Sequence, residues 1–527
     1  MDQLAHLQIV THFGMGDWAI VIVFLVASTV AGMWAMKYIK DMDDYVVAGR
    51  SVRTYLGVAS MIAAELGLVT VMYSAQMGFT SAFAAFSVAG LSAIAALIVG
   101  QTGFIVVPLR RMGVMTIPEF YERRFSRNLR LLGGVILAAS GILNMGMFLK
   151  ADSIFLTSVV GMNDPNMLKW AMTIVLMLVL LYTTVGGMIS VVFTDYLQYT
   201  VMAIGLVVTS VILMGHFGWD NVMVSVSQIK GEAGFNPLLA ASNIGPTYLV
   251  WMLFLGFIGA SVWQTSVMRA TSAESEKVVR RTYSWGSVGF LVRFIIPYFW
   301  GICALIFVYR TPALRELLVS LTETTKLHPE NAKAAADLSA LQLRAMPIAL
   351  TSMLPAGLIG LLTAGMLAAA MSTYNTYLHT WSAVLTQDVV APLAGGNLSS
   401  KTRIMIARII MCCIACFLLV WGLWYPLGER LWDYMAITGA VYFTGAFATL
   451  VCGIYWKRAS TAGAYGAFLS GFLMLTGLKP VQHLLGVEWK GEIVGLTVSV
   501  LAMVLMVGLS LAFPDRKPVE QDAQEVA

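Results

Sequence analysis

The chain has 527 residues, of which 58% are hydrophobic and 12% are charged, and its formal net charge is +5. The charged fraction is about half that of an ordinary soluble protein, so polar side chains are too few to cover a water-soluble body of this size. This composition excludes a cytosolic enzyme, a nucleic-acid-binding protein and a disordered scaffold. It predicts a polytopic protein embedded in a lipid bilayer.

Apolar runs of about 20 residues, the length that crosses a bilayer core of about 30 Å, recur along the whole chain. They predict an all-α integral membrane protein with about 13 transmembrane helices. The ninth run is too long for a single crossing, so we expect it to tilt or to continue as a helix into the cytoplasm. The predicted spans are 17–37, 54–77, 81–108, 131–158, 168–186, 193–215, 247–268, 283–309, 350–386, 404–425, 434–456, 461–478 and 492–513.

The loops between these spans differ in charge. One alternate set carries about twice as many Lys and Arg residues as the other, which predicts that this set faces the cytoplasm. The protein is then expected in the cell membrane with its N-terminus outside and its C-terminus inside. The first residues lack the basic region and cleavage site of a signal peptide, so none is expected. The short tail after the last span predicts no attached domain.

Two predicted spans are interrupted at corresponding places in the two halves of the chain. In the second span Glu65 is followed by Leu66 and Gly67, and the seventh span contains Gly256 and Gly259. Broken helices at matched positions are typical of transporters built from inverted repeats, where the freed backbone groups bind cations and anionic solutes. The alternative is that these glycines only allow close helix packing. The first interpretation predicts a five-plus-five inverted repeat of the leucine-transporter type.

This interpretation predicts how the chain is divided. An N-terminal extra helix and cytoplasmic loop precede two repeats of five helices, and two more helices follow them. The predicted units are 1–53 (extra helix and loop), 54–216 (first repeat), 217–246 (extracellular loop), 247–456 (second repeat), 457–513 (two C-terminal helices) and 514–527 (cytoplasmic tail).

The ninth span carries a polar cluster. Ser372, Thr373, Asn375 and Thr376 follow a run of small residues, and hydroxyl and amide oxygens are ligands that suit sodium. Such hydroxyls can instead bond the carbonyls of their own helix. Asp195, near the start of the sixth span, could take part in ion binding or could simply be stabilised by the dipole of its helix.

Charged residues within apolar runs are costly and usually line a cavity or form pairs. Besides Glu65 and Asp195, these residues are Lys150, Asp152 and Arg293. The guanidinium of Arg293 could bind a carboxylate of the transported solute through paired hydrogen bonds. It could equally neutralise Glu65, and the sequence leaves both roles open.

Several segments resemble one known family. The motifs, in chain order, are Asp44–Ser51 (DYVVAGRS), Thr116–Phe125 (TIPEFYERRF), Tyr182–Gln198 (YTTVGGMISVVFTDYLQ), the segment from Gln264 to Arg269 and its following loop, and Gly453–Ala464 (GIYWKRASTAGA). On these motifs the chain resembles the sodium:solute symporter family, the group of the sodium–glucose, proline and sialic acid cotransporters, from about residue 40 to 470.

The resemblance implies two sets of sodium ligands. The first consists of three backbone carbonyls and two hydroxyls, with a Thr where most members have a second Ser. Some members hold a second sodium, and Asn375 replaces a Ser in that set. The implied first site is Ala63, Leu66, Ala369, Ser372 and Thr373, and the implied second site is Asp195, Ser372, Asn375 and Thr376.

The positions that bind solute in the family are less well matched. The residues that grip sugar hydroxyls correspond to Thr70, Gly256 and Gly259, a lining too bare for a hexose. Arg293 stands where sugar transporters have a Lys, and Glu65 resembles an aspartate of the proline transporters. With Gly67 at the first bend, these residues form the predicted solute site.

The resemblance therefore implies a sodium-coupled symporter that imports a small organic solute by alternating access, with Na⁺ as the coupling ion. A carboxylate-bearing solute is our first hypothesis. A neutral sugar, polyol or amino acid is the alternative, and coupling to protons is a further one. An ion channel would need a repeated filter, which the sequence lacks. We expect no enzymatic activity, nucleic-acid partner or obligate protein partner.

Overall fold

The computed structural model describes residues 11–35, 42–161, 165–184, 188–239, 244–328, 331–395, 398–425 and 430–515, and these residues are almost entirely helical. The first half contains α1 Met15–Ala35, α2 Met42–Val47, α3 Thr54–Glu65, α4 Leu68–Ser81, α5 Phe86–Thr102, α6 Val106–Arg111, α7 Ile117–Arg124, α8 Arg127–Met145, α9 Phe148–Val160, α10 Pro165–Thr183, α11 Met188–Phe217 and α12 Trp219–Lys230. The second half contains α13 Gly245–Val262, α14 Gln264–Ser272, α15 Glu276–Arg310, α16 Pro312–Leu327, α17 Ala332–Met353, α18 Leu358–Val384, α19 Ser400–Trp424, α20 Leu431–Tyr455, α21 Thr461–Ser470, α22 Lys479–Leu485 and α23 Gly491–Ala512.

The number of candidate membrane spans is lower than predicted. Ten helical runs in the described ranges are long and apolar enough to cross a bilayer, or eleven if α21 and α22, bent by 86°, belong to one span. The predicted second and third spans correspond to α3, α4 and α5, of which α4 and α5 count as one run, Leu68–Thr102, although Ala82 between them has a φ of 49°. The apolar part of the predicted fifth span is only Lys169–Leu180. These two differences separate the count of eleven from the predicted 13.

The ninth predicted span also has different limits. Residues up to Met353 belong to α17, and the chain bends before Leu358, where Gly357 has a φ of 84°. Helix α18 then continues through a π-helical turn, Leu385–Val390, as far as Leu393. The polar cluster of the ninth span therefore lies in the middle of a long, almost wholly buried helix.

Both predicted helix breaks exist, but one lies elsewhere. The break between α3 and α4 falls at Leu66 and Gly67, as predicted. Helix α13 runs without interruption through Gly256 and Gly259 and ends at Val262, so the second break is at Trp263, whose ψ of 125° is extended. The two glycines thus form part of a regular helix, and Gly256 allows α13 to approach the backbone of α5.

Helix α15 packs closely against the first broken helix. A Cβ at Gly78 of α4 would overlap the carbonyl of Tyr298, and a Cβ at Gly301 of α15 would overlap the carbonyl of Ala75. Small residues at such crossings let membrane helices approach closely and pack by van der Waals contact. This crossing holds α15 against α4 and so fixes Arg293 beside the break that ends α3.

The N-terminal helix is tied to the polar helix of the site. The carboxylate of Asp17 is buried and accepts hydrogen bonds from the backbone amides of Gly357, at 2.7 Å, and Gly360, at 2.8 Å. A carboxylate at a helix N-terminus satisfies unpaired amides and complements the helix dipole. Asp17 therefore anchors the beginning of α18.

Candidate functional site

A cavity of about 100 Å³ lies between the two broken helices. Its wall includes residues from both sides of the first break, from α13 and α14, and from α8, α15, α18 and α20. The predicted solute residues Glu65, Thr70, Gly256, Gly259 and Arg293 all line it. The fold thus brings together five of the six solute positions predicted from the sequence.

The sixth predicted position, Gly67, contributes backbone to the break itself. A Cβ on Gly67 would overlap the hydroxyl of Thr373, so the absence of a side chain lets the break touch α18. Thr70 stabilises the same turn by donating a 3.0 Å hydrogen bond to the carbonyl of Glu65. Gly67 therefore places the break that borders the cavity in direct contact with Thr373, a predicted ion ligand.

Glu65 and Arg293 form an ion pair in the cavity wall. Nη1 of Arg293 lies 2.6 Å from Oε2 of Glu65, and Oε1 accepts a 3.1 Å hydrogen bond from Ser266. The guanidinium carbon lies 4.1 Å and 4.5 Å from the ring centroids of Phe290 and Phe294. The side chain of Arg293 is 9% exposed and that of Glu65 is 16% exposed, so both are largely buried although they line the cavity. Arg293 therefore lies where its charge can neutralise Glu65, which is one of the two roles that the sequence leaves open.

Much of the remaining wall is aromatic, and no pattern in the sequence indicated which aromatic residues would line it. Trp263 at the second break donates a 3.2 Å hydrogen bond to the hydroxyl of Tyr377 and packs on Phe443. Asn144 could have been noticed, because an amide inside an apolar span is costly in lipid. Lining side chains absent from the predicted site include Tyr73, Ser92, Asn144, Phe148, Trp263, Ser266, Phe290, Phe294, Tyr377, Trp432 and Phe443.

The predicted first sodium ligands lie where α3 meets α18. The hydroxyl of Thr373 donates to the carbonyl of Ala369 at 3.0 Å and lies 3.5 Å from the carbonyl of Ala64. The first contact is a hydrogen bond to a carbonyl of the same helix, which is what the alternative to ion binding predicts. The hydroxyl of Ser372 instead donates to the side chain of Asp195. All five predicted ligands are buried: Ala63, Leu66, Ala369, Ser372 and Thr373.

Asp195 is fully buried among polar partners. Its carboxylate accepts hydrogen bonds from Ser60 at 2.6 Å and from Ser372 at 2.5 Å. Because α11 begins at Met188, Asp195 lies about two turns inside the helix and not at its N-terminus. The carboxylate therefore belongs to a buried polar cluster rather than to a helix cap.

Arg269 occupies the space between Asp195 and Thr376. Nη2 of Arg269 donates to the Thr376 hydroxyl at 2.7 Å and lies 3.5 Å from Oδ2 of Asp195. The amide of Asn375 instead contacts Thr194, at 3.5 Å. The predicted seventh span ends at residue 268 and so leaves Arg269 in the following loop, which is wrong because α14 continues to Ser272 and carries the side chain inward, where it is 3% exposed.

The other charged residues at membrane depth lie apart from this cluster. Nζ of Lys150 donates a 3.0 Å hydrogen bond to the carbonyl of Tyr425, and Asp152 is buried beside Tyr374. Glu65 and Asp195 therefore have arginines, and not Lys150, as their cationic partners.

The site can be compared with known proteins. The family model for the sodium:solute symporter family matches residues 45–471. The sodium/glucose cotransporter of Vibrio parahaemolyticus is 26% identical over 448 residues, which are 81% of this chain and 77% of that protein. The sodium/sialic acid symporter SiaT of Proteus mirabilis is 24% identical over 464 residues, 86% of this chain and 87% of that one.

The fold is shared with a solved transporter. The substrate-bound, outward-open structure of a sodium-coupled sialic acid symporter superimposes with a TM-score of 0.77 at 18% sequence identity, covering 96% of this chain and all of that one. This confirms the predicted all-helical fold of the leucine-transporter type, with a broken helix in each half. The family match over residues 45–471 also confirms a multi-pass membrane transporter rather than an enzyme. The chain belongs to the sodium:solute symporter family and is a sodium-coupled solute symporter.

Proposed function

We propose that this symporter carries a small organic solute with a carboxylate group, which binds Arg293 in the central cavity. One observation carries the proposal. Arg293 lines the cavity between the broken helices, and its Nε has no hydrogen-bond partner among the described residues, although the residue is only 7% exposed. A buried donor without a partner is unfavourable, and a carboxylate would satisfy it with a charge-assisted bond.

We propose that sodium binds next to the solute, between α3 and α18. The carbonyls of Ala63, Leu66 and Ala369 and the hydroxyls of Ser372 and Thr373 supply five oxygens, which suit a hard monovalent cation. Thr373 also lines the cavity and touches the break at Gly67. Sodium binding would order the same turn that carries Glu65, and this supports coupling between the ion and the solute.

The second predicted sodium site is formed by Asp195, Asn375 and Thr376. We propose that no sodium ion binds there and that the guanidinium of Arg269 takes its place. Its guanidinium contacts both Asp195 and Thr376. A sodium ion bound there as well would add a second positive charge to a buried site that already has one for its single carboxylate. The proposed coupling is therefore one sodium ion per solute.

The arrangement in the membrane is also part of the proposal. The distribution of Lys and Arg supports a cell-membrane protein with an external N-terminus and a cytoplasmic C-terminus. Transport by alternating access would move the helices of the two repeats, 54–216 and 247–456, around the cavity. Each sodium ion entering down a potential of 100 mV releases about 2.3 kcal/mol for solute accumulation.

A neutral solute is the second candidate, because Arg293 already has Glu65 as a partner at 2.6 Å. A sugar or polyol would then bind by hydrogen bonds without disturbing the pair. The wall offers such a solute the side chains of Ser92, Asn144 and Ser266, but a neutral solute would bring no charged partner to Nε of Arg293, which favours the first candidate.

The test is a thermal-shift screen of the purified protein against small carboxylates, amino acids, sugars and polyols, each with sodium and with potassium. A bound ligand raises the stability of the native state by mass action. We expect sodium-dependent stabilisation by a carboxylate, weakened at least tenfold by Arg293→Lys, which keeps the charge but loses the planar fork. Arg281→Lys, at an exposed position of the same helix, is the matched control. Stabilisation by sugars or polyols alone would overturn the carboxylate proposal, and uptake driven by protons without sodium would overturn the ion site.

A further inference from the structure

The charge of the cavity wall is balanced. Among the described residues that line it, Glu65 and Arg293 are the charged ones, one of each sign, and they are in direct contact. A solute that carries both charges would give each member of the pair a partner of opposite sign. A carboxylate without a cationic group would give one only to Arg293 and would leave Glu65 with Arg293 and Ser266.

Both members of the pair retain hydrogen-bonding capacity. A carboxylate offers about four acceptor positions, and Glu65 uses its side-chain oxygens for one contact each with Arg293 and Ser266. Arg293 retains Nε, which makes no hydrogen bond within the described part of the chain. A cationic group can therefore approach Glu65 while a carboxylate approaches Arg293.

The ends of the broken helices add partial charges of both signs to the cavity. Val69 and Thr70, in the first turn of the 14-residue helix α4, line the cavity, and this end of a helix is positive. Gly259 and Ala260, in the last turn of α13, also line it, and that end is negative. The cavity thus presents a positive and a negative helix end together with a positive and a negative side chain.

The separation of the charges limits the length of the solute. Nη1 of Arg293 and Oε2 of Glu65 are 2.6 Å apart, so groups that contact both must themselves be close together. In an α-amino acid a single carbon separates the ammonium and carboxylate groups. The rest of the wall, with Tyr73, Trp263 and Trp432, suits an apolar or aromatic side chain and can also contact a cation through ring faces.

We propose that the solute is a zwitterion of the α-amino acid type, with its carboxylate on Arg293 and the start of α4, and its ammonium group on Glu65 and the end of α13. This inference rests on the proposed carboxylate-binding function and narrows it. It adds Glu65 as the residue that selects for the cationic group.

The test compares matched ligands on the full-length protein in sodium. The panel contains the common α-amino acids, the desamino carboxylate and the decarboxylated amine of each amino acid that binds, γ-aminobutyrate, and myo-inositol. We expect an α-amino acid to bind at least tenfold more tightly than either matched analogue and than γ-aminobutyrate. Equal affinity for the desamino carboxylate would overturn the zwitterion and leave the carboxylate proposal standing. Binding of myo-inositol alone would overturn both.

A variant tests the role of Glu65 through selectivity rather than stability. Glu65→Gln should lower the ratio of α-amino acid affinity to desamino-carboxylate affinity at least tenfold, because only the amino acid loses a charged partner. Glu232→Gln, which removes an exposed carboxylate outside the cavity, should leave the ratio unchanged. An unchanged ratio in Glu65→Gln would overturn the assignment. The wild-type panel decides the zwitterion proposal even if this variant does not fold.

Discussion

The guanidinium of Arg269 lies 3.5 Å from the carboxylate of Asp195, in a position where both side chains are buried. The pair connects α14, the second half of a broken helix, to α11. Two hydroxyls, Ser60 and Ser372, donate to the same carboxylate, and Ser372 is also a proposed sodium ligand. The charge at Asp195 is therefore linked to the ion site through the side chain of Ser372.

This pair leads to a prediction about stoichiometry. The wild-type protein should move one sodium ion per solute, because Arg269 already supplies the cation at Asp195. Reversal potentials of solute flux, measured in proteoliposomes across imposed sodium gradients and membrane voltages, give the ratio directly. A ratio of two would show that Asp195, Asn375 and Thr376 hold an ion in the presence of Arg269.

The sodium ligands give a second prediction. Ser372→Ala together with Thr373→Ala removes two of five proposed oxygens, so the apparent sodium affinity should fall at least tenfold, or about 1.4 kcal/mol. The measurement is solute uptake as a function of sodium concentration. Thr363→Ala is the matched control, because Thr363 is a buried hydroxyl on the same helix that bonds its own backbone at Ile359. Equal sodium dependence of the double variant and the control would contradict the site.

The first helix break could be predicted from sequence, whereas the second could be predicted only approximately. Glu65 followed by Leu66 and Gly67 combines a polar residue with a helix-breaking one in the middle of an apolar run, which is a local signal. At the second break the chain turns at Trp263, and tryptophan has no intrinsic tendency to interrupt a helix. Its indole is held by Tyr377 and Phe443, so tertiary packing and not local sequence determines the position.

The position of Arg269 shows a second limit of the sequence. An arginine near the end of an apolar run, followed by charged residues, matches the pattern of a cytoplasmic loop. Its burial depends on α14 being a short, separate helix whose direction follows the break at Trp263. By contrast, Arg293 and Glu65 could be paired as hypotheses, because both are charges within apolar runs that require compensation.

The ion pair in the cavity gives a third prediction. Arg293→Gln leaves the carboxylate of Glu65 without its cation, and removing one partner of a buried pair costs about 3–5 kcal/mol. We expect a clear loss of thermal stability, largely restored in the double variant with Glu65→Gln, while uptake of the carboxylate solute is not restored. A double-mutant cycle with both readouts measures this. Recovery of uptake as well as stability would contradict the role of Arg293 in solute binding.

The crossing of α15 and α4 gives a fourth prediction. In Gly301→Ala the new Cβ would overlap the backbone carbonyl of Ala75, which cannot move as a flexible side chain can. Overpacking of this kind typically costs about 1–3 kcal/mol. The thermal stability of the purified protein should fall, whereas Gly508→Ala, with no heavy atom within 4 Å of its Cβ, should be at least as stable as wild type. Equal stability of the two variants would contradict the close crossing.

The last prediction concerns Gly67, where the first broken helix touches α18. In Gly67→Ala the Cβ would overlap the hydroxyl of Thr373, so either the break or the proposed sodium ligand must shift. Since both form the ion site, apparent sodium affinity should fall at least tenfold, with a smaller effect on stability because the displacement is local. Gly90→Ala is the control, because its Cβ meets no atom within 4 Å and alanine favours the helix. Sodium titrations of solute uptake compare the two variants. Loss of stability in Gly67→Ala with unchanged sodium affinity would show that this contact only packs the two helices, and the proposed coupling through the break would then be wrong.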